Sequence, residues 1–209
     1  MTQTSPSQRT VDLSPENLKR IEKEERALFF KQWIQNPKRL GTLAPISKNL
    51  AQLAALCVDN PENVRLVEIG AGPGRLTRSL LARGIKPENI KAIELDPKLC
   101  AFTQKTLPHI DVIQGDAQYL PDILPSDWAG SVDIVFSTIP LMYLPHQVRA
   151  NIMEASFNVL KKEGHILHLT YNYWSPLKGM DYTQEKIASL WGNFPPSFIW
   201  KYKKPDPMS

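Results

Sequence analysis

Apolar and polar positions alternate along this chain with two periods, and the switches between them lay out its elements. An apolar run over residues 64–69 feeds Gly70-Ala71-Gly72-Pro73-Gly74, after which Leu76, Thr77, Leu80 and Leu81 recur at helical spacing until Gly84. The pattern predicts strand, tight turn, helix. Further strands are predicted over residues 91–95, 110–115, 132–139 and 165–171, and helices over 97–107 and 145–160; ahead of the first strand, Ser47 caps a helix reaching about Cys57. Strands alternating with helices predict a mostly parallel sheet covered on both faces. After Tyr171 the pattern changes. Residues 172–182 read as a loop with Pro176 and Gly179, and residues 186–191 and 197–203 read as two strands joined around Pro195-Pro196. In the second of these, Phe198, Trp200 and Tyr202 alternate with Ile199, Lys201 and Lys203, the mark of a half-buried strand, so the sheet is expected to close with an antiparallel hairpin.

The N-terminal region follows other rules. Residues 1–13 are polar and predict a disordered tail. Ser14-Pro15-Glu16 is an N-cap with proline at the first helical position; Leu18, Ile21, Leu28, Phe29, Phe30, Trp33 and Ile34 then give a helix whose second half carries an aromatic face, ended by Asn36-Pro37. The division expected is a tail over 1–13, an amphipathic helix and linker over 14–40, a globular domain over 41–204 and a short tail over 205–209. The overall charge of +4 is modest, but residues 16–39 hold seven basic residues (Lys19, Arg20, Lys23, Arg26, Lys31, Lys38, Arg39) against four glutamates. Phe29, Phe30 and Trp33 beside Arg26 and Lys31 suit either packing on the domain or contact with an anionic membrane surface.

Composition narrows the class. With 209 residues, 42% hydrophobic and 22% charged, one globular domain is expected. Neither an apolar run of membrane-spanning length nor a secretory signal is seen, so the location expected is cytoplasmic. Cys57 and Cys100 lack metal-ligand spacing and read as reduced thiols.

The glycine turn carries the chemistry. A dinucleotide fingerprint needs glycine at the first, third and sixth positions of its turn, and here the sixth is Arg75; Gly70, Gly72 and Gly74 instead give Gly-x-Gly-x-Gly. Glu68 precedes the turn by two residues. Glu94 ends the next strand, where a carboxylate can accept both hydroxyls of an adenosine ribose, and Asp116 ends the third, where it can receive an adenine amino group. Three carboxylates at the ends of three successive strands resemble the class I S-adenosylmethionine-dependent methyltransferases. Their fold is Rossmann-like, a mostly parallel seven-stranded sheet with an antiparallel last strand. The resemblance implies S-adenosylmethionine as cofactor, with Gly70, Gly72 and Gly74 against its methionine part, Glu68 near its amino end, Glu94 and Leu95 at the ribose, Asp116 and Ala117 at the adenine, and Ser137 completing the site.

A narrower resemblance runs from Phe29 to Tyr202. The segments Phe29-Phe30-Lys31-Gln32-Trp33-Ile34-Gln35-Asn36-Pro37, Gly41-Thr42-Leu43-Ala44-Pro45-Ile46-Ser47, Ile139-Pro140-Leu141 with Leu144-Pro145 and Arg149, Thr170-Tyr171, and Asn193-Phe194-Pro195-Pro196 with Trp200 and Tyr202 are similar to the bacterial phospholipid N-methyltransferases. Those enzymes methylate phosphatidylethanolamine stepwise towards phosphatidylcholine and attach to the inner face of the membrane by an N-terminal amphipathic helix. The resemblance implies a phospholipid headgroup as acceptor, Ile139 and Pro140 in the substrate loop, and Arg26, Phe29, Phe30, Lys31 and Trp33 as membrane contacts. Transfer in line from a sulfonium to an amine asks for alignment and exclusion of water, with neither a metal nor a covalent intermediate. An aliphatic amine must first lose a proton, and Tyr143 and Tyr171 stand where such a fold places acceptor residues; His146 is a weaker relay, and His168 reads as a core histidine. Alternatives are an ornithine lipid or small-molecule amine as acceptor, an RNA adenine with Thr138 in the orienting position, and a catalytically silent membrane-binding module; no nucleic-acid partner is expected.

Overall fold

In the computed structural model, which describes residues 16, 19–25, 27, 46–191 and 195–204, each apolar run of the central region becomes a strand of one sheet. The elements are α1 (Lys48–Leu56), β1 (Leu66–Ile69), α2 (Arg75–Ala82), β2 (Ile90–Glu94), α3 (Pro97–Thr106), β3 (Asp111–Gln114), the single turn α4 (Leu120–Ile123), β4 (Val132–Ser137), α5 (His146–Val159), β5 (Leu160–Thr170), β6 (Thr183–Leu190) and β7 (Ser197–Lys203). The strands lie in the order β3-β2-β1-β4-β5-β7-β6. The first five are parallel, and β7 runs antiparallel to both β5 and β6.

Local chemistry explains the element ends. Ser47 accepts from the Leu50 amide (3.2 Å) at the start of α1. Asp96 accepts from the amides of Lys98 and Leu99 (2.9 and 3.1 Å), with Pro97 at the first position of α3. Gly84, at φ +103, closes α2 while the Ile85 amide reaches back to the Leu80 carbonyl at 3.3 Å. α5 passes into β5 with no loop between them, so Leu160 opens a strand that starts five residues before the sequence pattern suggests.

Strand alternation sorts the core into two layers. Leu66, Ala92, Ile134, Phe136, Leu167 and Leu169 face α1, α2 and α3; Val67, Ile69, Ile93, Val135 and Ile166 face α4 and α5 together with Trp128. β7 departs from the half-buried pattern: Phe198 and Ile199 are both buried, because this strand lies between β5 and β6 with both faces covered.

Residues 19–25 are helical and rest on α2. Ile21 is buried, and Glu25 is fully buried between two cations, its oxygens 2.8 Å from Arg75 Nε and 2.7 Å from Arg78 Nη2. Burial raises the Glu25 pKa and the two guanidiniums oppose it. Removing one partner of a buried pair strands the other's charge, so Glu25→Gln is expected to cost roughly 3 kcal/mol in urea unfolding, the low end because both arginines keep some solvent. Arg26, Phe29, Phe30, Lys31 and Trp33, expected at the membrane, lie outside the described residues, as do the tails over 1–13 and 205–209. No helix among the described residues is long and apolar enough to cross a membrane.

Candidate functional site

The carboxyl ends of β1 to β5 surround a cavity of about 350 Å³. This is where an open α/β sheet, at the point where strand order reverses between β1 and β4, leaves a crevice. Its wall includes Glu68, Gly70, Gly72, Glu94, Leu95, Asp116, Ala117, Ile139, Pro140 and Tyr171.

The three glycines serve three purposes. All have positive φ, at +79, +55 and +79 for Gly70, Gly72 and Gly74. A Cβ on Gly70 would lie 2.8 Å from Ile139 Cγ1 and 3.2 Å from the Ile139 amide, so this residue lets the loop after β4 close onto the turn; Thr138 Oγ1 donates to the Gly70 carbonyl at 2.6 Å across the same contact. Among the described residues, a Cβ on Gly72 would meet only the Gly70 carbonyl, at 4.0 Å, leaving open space for a ligand to approach the backbone. Gly74 lies outside the cavity wall: its Cβ would strike Thr103 Cγ2 at 2.8 Å, so it permits close packing of the α2 start on α3.

The carboxylates differ as sharply. Alternation puts Glu68 on the face of Leu66, towards α2, where one oxygen accepts from Thr77 Oγ1 at 2.6 Å. The other oxygen, Oε1, is buried with no hydrogen-bond partner among the described residues although Glu68 lines the cavity. Burial pushes the Glu68 pKa up to about 8, with the Thr77 bond opposing. Glu94 is buried and accepts from the amides of Gly72 (2.7 Å) and Asp96 (2.8 Å), which fixes its carboxylate against the turn; burial raises its pKa too. Asp116 accepts from the amide of Gln118 (3.0 Å) and from its side chain (3.1 Å), and Gln118 in turn accepts from Asn151 of α5 at 3.0 Å.

Glu68 has a pH signature. Its folded-state pKa lies above the ordinary 4.5, so the folded chain keeps a proton that the unfolded chain has released; stability therefore falls as pH rises from about 4.5, and the loss is complete above about 8. His165 and His168, both held down to about 4 chiefly by burial, act oppositely, costing stability as pH drops from about 6.5. Between about pH 6.5 and 8, Glu68→Gln is expected to flatten the decline in unfolding free energy expected of the unsubstituted chain, as read by urea titration at several pH values.

The remaining candidates are placed as follows. Tyr171 is half-buried in the wall, and burial raises its pKa. Tyr143 is 74% exposed, outside the wall but next to Met142, which lines it. Ser137 is buried and lies outside the wall; alternation turns it to the face of Val135, where its hydroxyl meets His168 Nδ1 at 3.2 Å across β4 and β5. His168 is a buried core residue, and His146 is exposed at the start of α5. Thr138, expected as the orienting residue for an adenine acceptor, lines the cavity, as do Ile46, Arg75, Gln118, Met142 and Thr170, which the sequence pattern does not single out as ligand contacts. Arg75 links three parts of the chain: it pairs with Glu25, donates to the Ile46 carbonyl at 2.9 Å, and lines the cavity. Only its position after the third glycine drew notice in the sequence, because its partners are remote.

Sheet order, reversed β7 and a glycine turn flanked by strand-end carboxylates define a Rossmann-like fold of the class I methyltransferase type. A family model described as "Methyltransferase domain" matches residues 66–164. The solved structure of TrmN from Thermus thermophilus covers 77% of this chain and 49% of its own, with a TM-score of 0.60 and 18% identity, a likeness of fold. The ornithine lipid N-methyltransferase of Singulisphaera acidiphila is 26% identical over 152 residues, 70% of this chain and 78% of that protein. The ribosomal RNA small subunit methyltransferase A of Sinorhizobium fredii is 37% identical over 84 residues, but those are 38% of this chain and only 28% of that protein.

Proposed function

We propose that this protein transfers methyl groups from S-adenosylmethionine to the amine of phosphatidylethanolamine and its mono- and dimethyl forms at a membrane surface. The observation that carries the donor is the buried Oε1 of Glu68 on the cavity wall, without a hydrogen-bond partner among the described residues, beside a turn that leaves Gly72 open: a carboxyl oxygen whose raised pKa a bound ammonium group would bring back down, at the place proposed for the methionine amino end. The residues present fit this donor. Glu68 would receive its amino group, Gly72 its close approach, Glu94 the ribose hydroxyls through its remaining lone pairs, and Asp116, Ala117 and Gln118 the adenine edge, with Leu95 as an apolar wall.

When bound, the donor supplies an already activated sulfonium methyl. The chain's own part is alignment and exclusion of water. The loop over Ile139 and Pro140 closes one side, held by the Thr138–Gly70 bond. Tyr171, kept neutral by burial, offers the acceptor a hydroxyl and a ring face and does not serve as a base at neutral pH. The protonated amine gives its proton to water at the exposed Tyr143 side before attack.

Support for a lipid acceptor comes from the reach of the ornithine lipid N-methyltransferase match, which extends over most of both chains, whereas the ribosomal RNA methyltransferase match covers 38% of this chain and 28% of that protein. Attachment to the membrane is assigned to the basic aromatic segment within residues 14–40 on the inner face of the membrane. The test is incubation with methyl-labelled S-adenosylmethionine and phosphatidylethanolamine vesicles: label in the extracted lipid is expected, and donor binding without lipid label would overturn the acceptor.

A further inference from the structure

The sheet edge that holds the cavity also carries an exposed group of aromatic side chains that the donor site does not use. Tyr173, Trp174 and Trp191 are 47%, 64% and 66% exposed, and Tyr143 stands beyond Met142. Register brings them to one edge: Phe198 pairs with Thr170 and Ser197 with Leu190, so the ends of β5 and β6 and the start of β7 lie together. There Tyr173 meets Phe198 edge-to-face at 5.5 Å and Trp191 at 6.5 Å, and Trp174 stands edge-on to Tyr173 at 5.2 Å.

This group is built, and it is tied to the cavity. Asn172 donates to the sulfur of Met142, a cavity residue, at 2.6 Å, and accepts from the Trp174 amide at 3.2 Å, which fixes the turn presenting both rings. Arg149 of α5 donates to the Pro176 carbonyl at 2.6 Å, and Ser175 shares a hydrogen bond of 2.9 Å with buried Tyr202, anchoring the rest of the loop. Two ammonium groups are set among the rings: Lys186 Nζ lies 3.4 Å from the centre of Tyr173, and Lys178 Nζ lies 5.5 Å from that of Trp174.

We infer that this edge is a docking surface for an anionic phospholipid bilayer, separate from the N-terminal segment, which brings the headgroup layer to the cavity mouth; the inference rests on the lipid-acceptor reading above. Tryptophan and tyrosine pair an apolar body with a polar tip and settle at the headgroup level, and lysines beside them complement lipid phosphates. Single-stranded RNA, the other polyanion that favours aromatics and cations, stacks bases on open ring faces. Here a lysine ammonium covers a face of Tyr173 and another a face of Trp174, and the aromatic contacts with Phe198 and Trp174 are edge-on, so the arrangement favours the bilayer.

The test is sedimentation of the full chain with vesicles of phosphatidylcholine and phosphatidylglycerol, alongside methyl transfer to phosphatidylethanolamine presented in those vesicles or as a short-chain, water-dispersed lipid. Trp174→Ser/Trp191→Ser is expected to lower vesicle partitioning and vesicle-borne methylation about tenfold, and Lys178→Glu about fivefold at low salt. Methylation of the short-chain lipid and the thermal transition should stay unchanged. Unaltered partitioning overturns the docking surface, as does an equal fall with the short-chain lipid, which would signal a structural role. Loss of single-stranded RNA binding in the double variant with vesicle binding intact would overturn it in favour of a nucleic-acid surface. Should the unsubstituted chain bind vesicles through these residues yet label no lipid in either form, the acceptor reading fails and the docking surface stands.

Discussion

Glu94→Ala is expected to weaken S-adenosylmethionine binding about a hundredfold in isothermal titration. The carboxylate is held by the amides of Gly72 and Asp96 at 2.7 and 2.8 Å, which leaves its remaining lone pairs for the ribose in the proposed donor site. Hydrogen bonds to a charged group contribute about 1.5–3 kcal/mol each, and two of them at the low end correspond to roughly two decades of affinity. Part of any loss would come from freeing the Gly72 amide and loosening the turn. A donor analogue without the two ribose hydroxyls separates the effects, since it should bind the variant and the unsubstituted chain within a few-fold of one another. Equal hundredfold losses for both ligands would place the role of Glu94 in the turn alone.

Gly72→Val should abolish donor binding while leaving a folded protein. Its side chain would enter the open space against the cavity, meeting no other protein atom closely at Cβ, and would exclude a ligand from the backbone. The cost to the fold is the strain of a branched residue at φ +55, about 1–2 kcal/mol. Gly70→Ala provides the contrast. There the new Cβ meets Ile139 at 2.8 Å, and overpacking adds about 1–3 kcal/mol to the positive-φ strain, so stability should fall at that site and the loop after β4 should move. Circular dichroism melts beside calorimetry distinguish a blocked site from a damaged fold.

These two glycines also mark how far the sequence could be read. The parallel strands, the turn after β1 and the closing hairpin follow from periods of two and 3.6 residues, which are local properties of the chain. Which wall each turn residue touches is not local. Gly74 has the same spacing and sign of φ as its neighbours, yet it packs on α3 because Thr103 and Leu107 come within reach only in the folded sheet. Ser137 ends β4 one residue before the loop, and alternation turns it to His168 on the opposite layer. Phe198 and Ile199 are both buried because each face of β7 is covered there, Ile199 by a core layer and Phe198 by the rings of Tyr173 and Trp191, which the alternation of its own residues cannot express. The Glu25–Arg75–Ile46 junction joins positions up to 50 residues apart in sequence, and nothing in the composition of any one segment announces it.

The donor and acceptor halves of the proposal rest on different footings. Glu68, Gly72, Glu94 and Asp116 converge on one cavity, and the methyl donor is argued from their chemistry with little reference to what receives the methyl. The acceptor is argued from the Ile139–Pro140 loop, from Tyr171, and from similarity to a lipid N-methyltransferase. Lipid extracts from a bacterial host that makes phosphatidylethanolamine but no methylated phospholipid, expressing either this chain or its Gly72→Val variant, address both halves at once by mass spectrometry. Mono-, di- and trimethylated phosphatidylethanolamine are expected with the unsubstituted chain and none with the variant; an unchanged lipid profile from a folded, donor-binding protein would contradict the proposed activity.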